Sequence, residues 1–157
     1  MTIFVDRDGV LANFDKSASA IVGMNHYKAT FILGDDEMWK RIHSRKDFFV
    51  NLDPMDDMPL LWTVLRRFNP WVLTALPREN SERAAKQKQA WVQKHLTPKP
   101  PVVTCYTKDK VNYCSPGDIL IDDREVVKAA WEAKGGHYIT HTSAADTILQ
   151  LGALGVL

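Results

Sequence analysis

The 157-residue sequence predicts an α/β domain, a five-stranded parallel sheet with helices on both faces. Three observations carry this. Five short runs rich in β-branched and aromatic residues punctuate the chain, and stretches with helical apolar spacing separate them. Strands joined through helices form right-handed crossovers, which place helices on both sides of a parallel sheet. The length fits one domain, and 45% hydrophobic with 25% charged residues is a globular composition.

The elements follow in order. Thr2-Ile3-Phe4-Val5 reads as the first buried strand, ending at Asp6. After Gly9 a helix is expected over Val10 to Val22, with Leu11, Phe14, Ala18 and Ile21 on one face and Gly23 as its stop. Glu37 to Arg45 reads as a short helix, and Asp57 is a candidate cap for a helix from Met58 to Phe68. Trp71-Val72-Leu73-Thr74 is the second strand. Asn80 or Ser81 opens a helix to about His95, and Pro98, Pro100 and Pro101 end that region. Val102 to Cys105 and Asp118 to Asp122 are the next strands. Arg124 to Lys134 is a helix ended by Gly135-Gly136, His137 to Thr140 the fifth strand, and Ser143 caps a last helix from Ala144 to about Leu151. The stretch 15–50 is too long for a simple connection. It reads as a small helical cap over the C-terminal edge of the sheet, with 1–14 and 51–157 as the core domain.

Other classes are disfavoured. A net charge of +1 gives no global field for nucleic acid or anionic membranes, and nucleic acid is not an expected partner. The run Arg83, Lys86, Lys88, Lys94, Lys99 reads mainly as a solvated helix face, with Lys88 open between that face and phosphate contact. No apolar run is long enough for a transmembrane helix, so no membrane partner is expected. Charged Asp6, Arg7 and Asp8 follow Val5 at once, unlike a secretory leader. Cys105 and Cys114 have no metal-site spacing and point to a reduced, cytoplasmic setting. The sequence leaves the oligomeric state open, a homodimer included.

Candidate chemistry gathers at strand ends, where open α/β sheets bind ligands. Asp6-Arg7-Asp8-Gly9 ends the first strand, Thr74 the second and Asp122-Asp123 the fourth, while Lys108 and Lys110 lie in the loop before the fourth. Converging carboxylates repel unless they hold a hard cation, and Mg²⁺ takes one or two carboxylates plus waters and substrate phosphate. Thr74 and Lys110 supply donors for phosphate oxygens. The set points to metal-assisted phosphoryl transfer with a carboxylate nucleophile.

Asp6-Arg7-Asp8-Gly9-Val10 resembles the D-x-D-G-V signature of the haloacid dehalogenase (HAD) superfamily, and Thr74, Lys110 and Asp122-Asp123 resemble its later motifs in order. Within it the chain is similar to the 5′(3′)-deoxyribonucleotidases. That likeness rests on Asp8 to Phe14, Phe48 to Pro54, Lys88 to Lys94, Lys108-Asp109-Lys110 and Asp118 to Arg124. The resemblance implies a Rossmann-like sheet in the order 5-4-1-2-3. It implies Asp6 as nucleophile, Asp8 as general acid and base, and Thr74 and Lys110 as phosphate ligands. Mg²⁺ would be held by Asp6, the Asp8 carbonyl and Asp122 or Asp123, with Asp123 favoured. Phe14 and Phe49 match aromatic positions of the nucleoside pocket, and Trp39 in the cap is a candidate for base stacking. The expected substrate is a small phosphate monoester, a (deoxy)nucleoside monophosphate.

The chain also departs from the family pattern. Arg7 replaces an apolar residue, Ala75 stands where a small hydroxyl residue follows the threonine, and the cap is short. A sugar phosphate or polynucleotide terminal phosphate is the alternative substrate. A non-catalytic phosphate-binding module is the alternative of another class.

Overall fold

Alternating large apolar side chains build the sheet. In the computed structural model, which describes residues 1–157, β1 (Ile3–Val5) lies at the centre. With β2 (Trp71–Ala75), β3 (Val102–Cys105), β4 (Ile119–Asp122) and β5 (His137–Thr140) it forms a parallel sheet in the order β3-β2-β1-β4-β5. Phe4 pairs with Trp71 on one side and Leu120 on the other, and Ile121 pairs with Val5 and Ile139. This is the expected order. The register brings the ends of β1, β2 and β4 to one edge.

Seven α-helices accompany the sheet: α1 (Phe14–Val22), α2 (His26–Leu33), α3 (Asp35–His43), α4 (Met58–Leu65), α5 (Ser81–His95), α6 (Lys128–Ala133) and α7 (Ala144–Ala153). Successive strand residues face opposite sides. Ile3, Val5, Val72, Ile119 and Ile121 join the larger core with Leu61 of α4, Trp91 of α5 and Leu151 of α7. Phe4, Leu73, Leu120 and Tyr138 point the other way and are closed by Val127 and by Trp131 of α6.

Helices α1–α3 form the helical insertion after the first strand. Its return segment is tied to the core by α5: Gln87 Oε1 accepts from the N–H of Phe49 at 3.0 Å and of Val50 at 3.3 Å, and Trp91 Nε1 donates to the Leu52 carbonyl at 2.7 Å.

Several boundaries differ from expectation, each for a local reason. The first helix begins at Phe14 rather than Val10, because the Arg7 carbonyl accepts from the N–H groups of Leu11 and Ala12 and closes a tight loop. Asn13 caps it, accepting from Lys16 N at 3.1 Å, and Gly23 ends it with φ +68° as read. Helix α2 was not expected. Asn25 caps it by accepting from Tyr27 and Lys28. The expected helix 124–134 contracts to Lys128–Ala133, and Arg66–Phe68 continues α4 only as a 3₁₀ turn. Asp57 sits at the start of α4 without capping it. Its Oδ2 instead accepts from Ala144 N at 2.7 Å, at the start of α7.

Candidate active site

The site grows from β1. The Asp6 N–H donates to the Ile121 carbonyl at 2.8 Å, so the sheet ladder fixes Asp6 just beyond the strand end. Asp6 Oδ1 accepts from Arg7 N at 2.8 Å and lies 3.2 Å from Lys110 Nζ. Lys110 reaches the site from a 3₁₀ segment, Thr107–Tyr113, and pairs with Asp122 Oδ2 at 2.7 Å. It is buried, whereas Lys108 is exposed. Asp122 uses Oδ1 to accept from Arg124 N at 3.0 Å, capping the turn after β4. The Tyr138 hydroxyl donates to the Arg124 carbonyl and anchors that turn.

Asp123 follows at the mouth of the cluster. Asp6, Asp122 and Asp123 each offer a carboxylate oxygen, and these atoms lie within 4.8 Å of one another. Asp123 packs against the loop after β1 at Gly9, where a Cβ would stand 2.2 Å from Asp123 Oδ2. Gly9 also has φ +83°, so glycine answers both the backbone and the close approach.

Asp8 is held by two cations. Arg7 Nη1 donates to its Oδ1 at 2.6 Å and Lys88 Nζ to its Oδ2 at 2.6 Å. Lys88 also donates to the Thr74 hydroxyl at 3.3 Å and to the Ala75 carbonyl. It is therefore not on the solvated face of α5. The residues Ala84, Lys88, Trp91 and Val92 share the helix's buried stripe. That spacing was visible in the sequence and is the signal that singles Lys88 out from the neighbouring lysines.

Electrostatics separate the carboxylates. Burial, reinforced by Asp122 and Asp8, raises the Asp6 carboxyl to about 6 despite the opposing Lys110. Burial and the charges of Asp6 and Asp122 raise Asp123 to about 7. Burial alone would raise Asp8 too, but Arg7 and Lys88 outweigh it and hold Asp8 below the usual carboxylate range. Burial lowers Lys88, whereas for Lys110 the carboxylates of Asp6 and Asp122 overcome burial and raise it.

This donor set fits a hard divalent cation. Three carboxylates crowd together with one shared lysine, and Asp123 Oδ1 is buried without a hydrogen-bond partner. A cation supplies what that oxygen lacks and relieves the repulsion that raises Asp6 and Asp123.

The fold thus brings Asp6, Asp8, Thr74, Lys110, Asp122 and Asp123 to one edge. The three aromatic candidates are engaged in packing contacts. Phe14 and Trp39 are half-buried and pack on each other, 6.1 Å between ring centres, against the larger core. Phe49 is buried, and its ring meets Lys88 Nζ at 4.8 Å and the Arg7 guanidinium at 5.8 Å.

Comparison with known proteins agrees with this geometry. Residues 1–147 match the family described as 5′ nucleotidase, deoxy (pyrimidine), cytosolic type C. The chain belongs to that family. A Bordetella bronchiseptica protein provisionally named a 5′(3′)-deoxyribonucleotidase is 26% identical over 157 residues, covering 88% of this chain and 82% of its own. A hydrolase from Streptococcus pneumoniae shares the fold at TM-score 0.55 and 15% identity, covering 98% of this chain and 97% of that one. A HAD-superfamily hydrolase from Ehrlichia chaffeensis does so at 0.56 and 12%, covering 98% and 96%. The chain is a phosphohydrolase of the HAD type, with its aspartate cluster at the sheet edge where this fold places its chemistry. No helix is long and apolar enough to cross a membrane.

Proposed function

We propose that this enzyme hydrolyses (deoxy)nucleoside monophosphates through an aspartyl-phosphate on Asp6. One observation carries the reading. Asp6 stands at the end of the central strand with Lys110, and Thr74 and Asp8 stand beside it joined by Lys88, which gives a nucleophile, phosphate donors and a second carboxylate in one cleft. The family match and the name of the Bordetella relative support the nucleotide substrate.

In this reading Thr74, Lys88 and Lys110 bind the phosphate oxygens. The Asp6 carboxylate attacks phosphorus as the ester bond breaks, and Asp8, which takes up a proton once Lys88 has turned from it to the phosphate, gives that proton to the leaving oxygen. Water then attacks phosphorus of the Asp6 acyl phosphate, Asp8 takes the water proton, the Asp6 O–P bond breaks, and inorganic phosphate leaves. That proton serves the next turnover. Mg²⁺ held by Asp6, the Asp8 carbonyl and Asp122 or Asp123, with Asp123 favoured, would supply charge neutralisation at the transferring phosphoryl group. The cap is assigned to 15–50, with Phe14 and Trp39 lining its nucleoside side. Phe49 would act on that pocket only from beneath, through the cations on its ring. The unpaired thiols of Cys105 and Cys114 accord with a cytoplasmic setting.

The test is phosphate release with Mg²⁺ across 5′ and 3′ deoxynucleotides, ribonucleotides, sugar phosphates and phosphorylated oligonucleotide ends. Asp6→Asn serves as the blank. Preference for mononucleotides is expected. Preference for another class would discard the substrate assignment, and turnover by Asp6→Asn would discard the covalent mechanism.

A further inference from the structure

Arg7 is the residue that the function described so far leaves without a task. It lies between the two aspartates, at a position where the family it resembles carries an apolar side chain. It is fully buried, at 0% exposure. Arg7 lies two residues beyond β1, and its guanidinium sits against Phe49 and Trp91, both members of the larger apolar core. A buried charge there is costly unless it is paired and hydrogen-bonded, so an apolar residue would be the simpler choice for packing.

The contacts of Arg7 are specific. Nη1 donates to Asp8 Oδ1 at 2.6 Å, and Nη2 donates to the Phe49 carbonyl. The guanidinium lies over two rings, 5.8 Å from the centre of Phe49 and 5.2 Å from that of Trp91. Phe49 is in turn fixed to α5 through Gln87. Arg7 is thus braced by the return segment of the cap on one side and by α5 on the other. Its single side-chain carboxylate partner is Asp8.

The two cations on Asp8 differ in their freedom. Lys88 divides its ammonium among Asp8 Oδ2, the Thr74 hydroxyl and the Ala75 carbonyl, and a phosphate arriving at Thr74 offers it a doubly charged partner. Lysine carries a rotatable point charge on a flexible stem, so it can exchange one acceptor for the other. Arg7 has no such exchange open to it. Its two terminal nitrogens are committed to Asp8 and Phe49, and the rings of Phe49 and Trp91 lie against the guanidinium.

We infer that Arg7 is the positioning residue of the acid–base carboxylate. It fixes Oδ1 of Asp8, so that Oδ2, once Lys88 turns to the phosphate, is the oxygen presented to the leaving group. This rests on the acid–base role proposed for Asp8. The proton balance closes. In the first step a proton that Oδ2 takes up when Lys88 leaves it passes to the leaving oxygen as the ester P–O bond breaks and the Asp6 O–P bond forms. In the second, a water proton returns to Oδ2 as the water oxygen bonds to phosphorus and the Asp6 O–P bond breaks.

The test uses leaving groups of different need. A nucleoside leaves as an alkoxide and requires a proton, whereas p-nitrophenolate leaves unaided. The Arg7→Met and Arg7→Lys proteins are compared with wild type on a deoxynucleoside monophosphate and on p-nitrophenyl phosphate, with melting curves alongside. Because kcat/KM reports the steps up to transfer onto Asp6, it isolates the donation. General acid catalysis is worth roughly 100-fold or more, so Arg7→Met should lose about that on the nucleotide and less than about 5-fold on the aryl ester. Arg7→Lys, which keeps the charge but not the fork, should lose less while shifting the ratio of the two substrates in the same direction. Equal losses on both esters, or no loss, would overturn the inference. If Arg7→Met does not fold, the ratio for Arg7→Lys decides in the same way. Wild type that cleaves neither ester would instead remove the underlying phosphatase reading, and the inference with it.

Discussion

Replacing Asp123 by asparagine should make the metal-free enzyme more stable and at the same time remove its response to Mg²⁺. The native carboxyl of Asp123 titrates at about 7 instead of the ordinary 3.8, chiefly through burial and then through the charges of Asp6 and Asp122. The folded chain therefore holds this proton more tightly than the unfolded chain. Stability falls as pH rises from about 4 to about 7, and then levels off. A shift of about 3 units corresponds to roughly 4 kcal/mol at pH 8 in chelator. Near pH 5 only the first part of that loss has accrued, roughly 1.5–2 kcal/mol, and below about pH 4 almost none. Asparagine keeps the shape and cannot ionise. In urea melts with chelator, Asp123→Asn should exceed wild type by a few kcal/mol at pH 8 and by less at pH 5. Adding Mg²⁺ should stabilise wild type at pH 8 and the variant far less, since the unpartnered Oδ1 is an oxygen the cation would engage. A variant less stable than wild type at pH 8 in chelator would refute the account, because Asp123 would then be supporting the fold.

Two further substitutions probe the geometry. Gly9→Ala forces a side chain to accept φ +83° and sets its Cβ 2.2 Å from Asp123 Oδ2. The backbone cost is about 1–2 kcal/mol, and Asp123 must move. The Mg²⁺ concentration for half-maximal phosphate release should rise about tenfold or more, a shift of at least 1.4 kcal/mol, and an unchanged requirement would mean that Asp123 is not a metal ligand. Asp57→Ala removes the acceptor for Ala144 N and should cost about 1 kcal/mol in a denaturant melt with kcat unchanged. A large loss of activity would tie that cap to the active site.

The sheet was legible because its signal is local. Ile3-Phe4-Val5 and Ile119-Leu120-Ile121 are buried on both faces, so they read as unbroken apolar runs, and their terminal aspartates mark the functional edge. Helix α2 was not legible because its pattern is inverted. Its buried residues are His26 and Ala29, while Phe31 is 93% and Ile32 69% exposed. Apolar periodicity finds the face a helix buries, and α2 buries its small and polar side. Asp57 shows another limit. It has the residue type and position of a cap for α4, but its hydrogen bond goes to a helix 87 residues away. The family resemblance marks Phe49 as a pocket residue, but the contact of its ring with two cations is something only the folded chain brings about.

The charges of the site explain why a divalent cation and a phosphate would bind here together. Asp6, Asp8, Asp122 and Asp123 face Arg7, Lys88 and Lys110, which leaves one net negative charge when all are ionised. A phosphate dianion alone would enter against that charge. A divalent cation turns it to a net positive one, and the dianion then meets attraction. The three basic residues already serve carboxylates, so none is idle: Lys110 joins Asp6 to Asp122, Arg7 is committed to Asp8, and Lys88 alone touches both Asp8 and the phosphate-side hydroxyl of Thr74. Binding is therefore an exchange of partners rather than the filling of a vacant basic pocket. The partner best placed to exchange is Lys88, and in the proposed mechanism its departure would free the carboxylate oxygen that the leaving group needs.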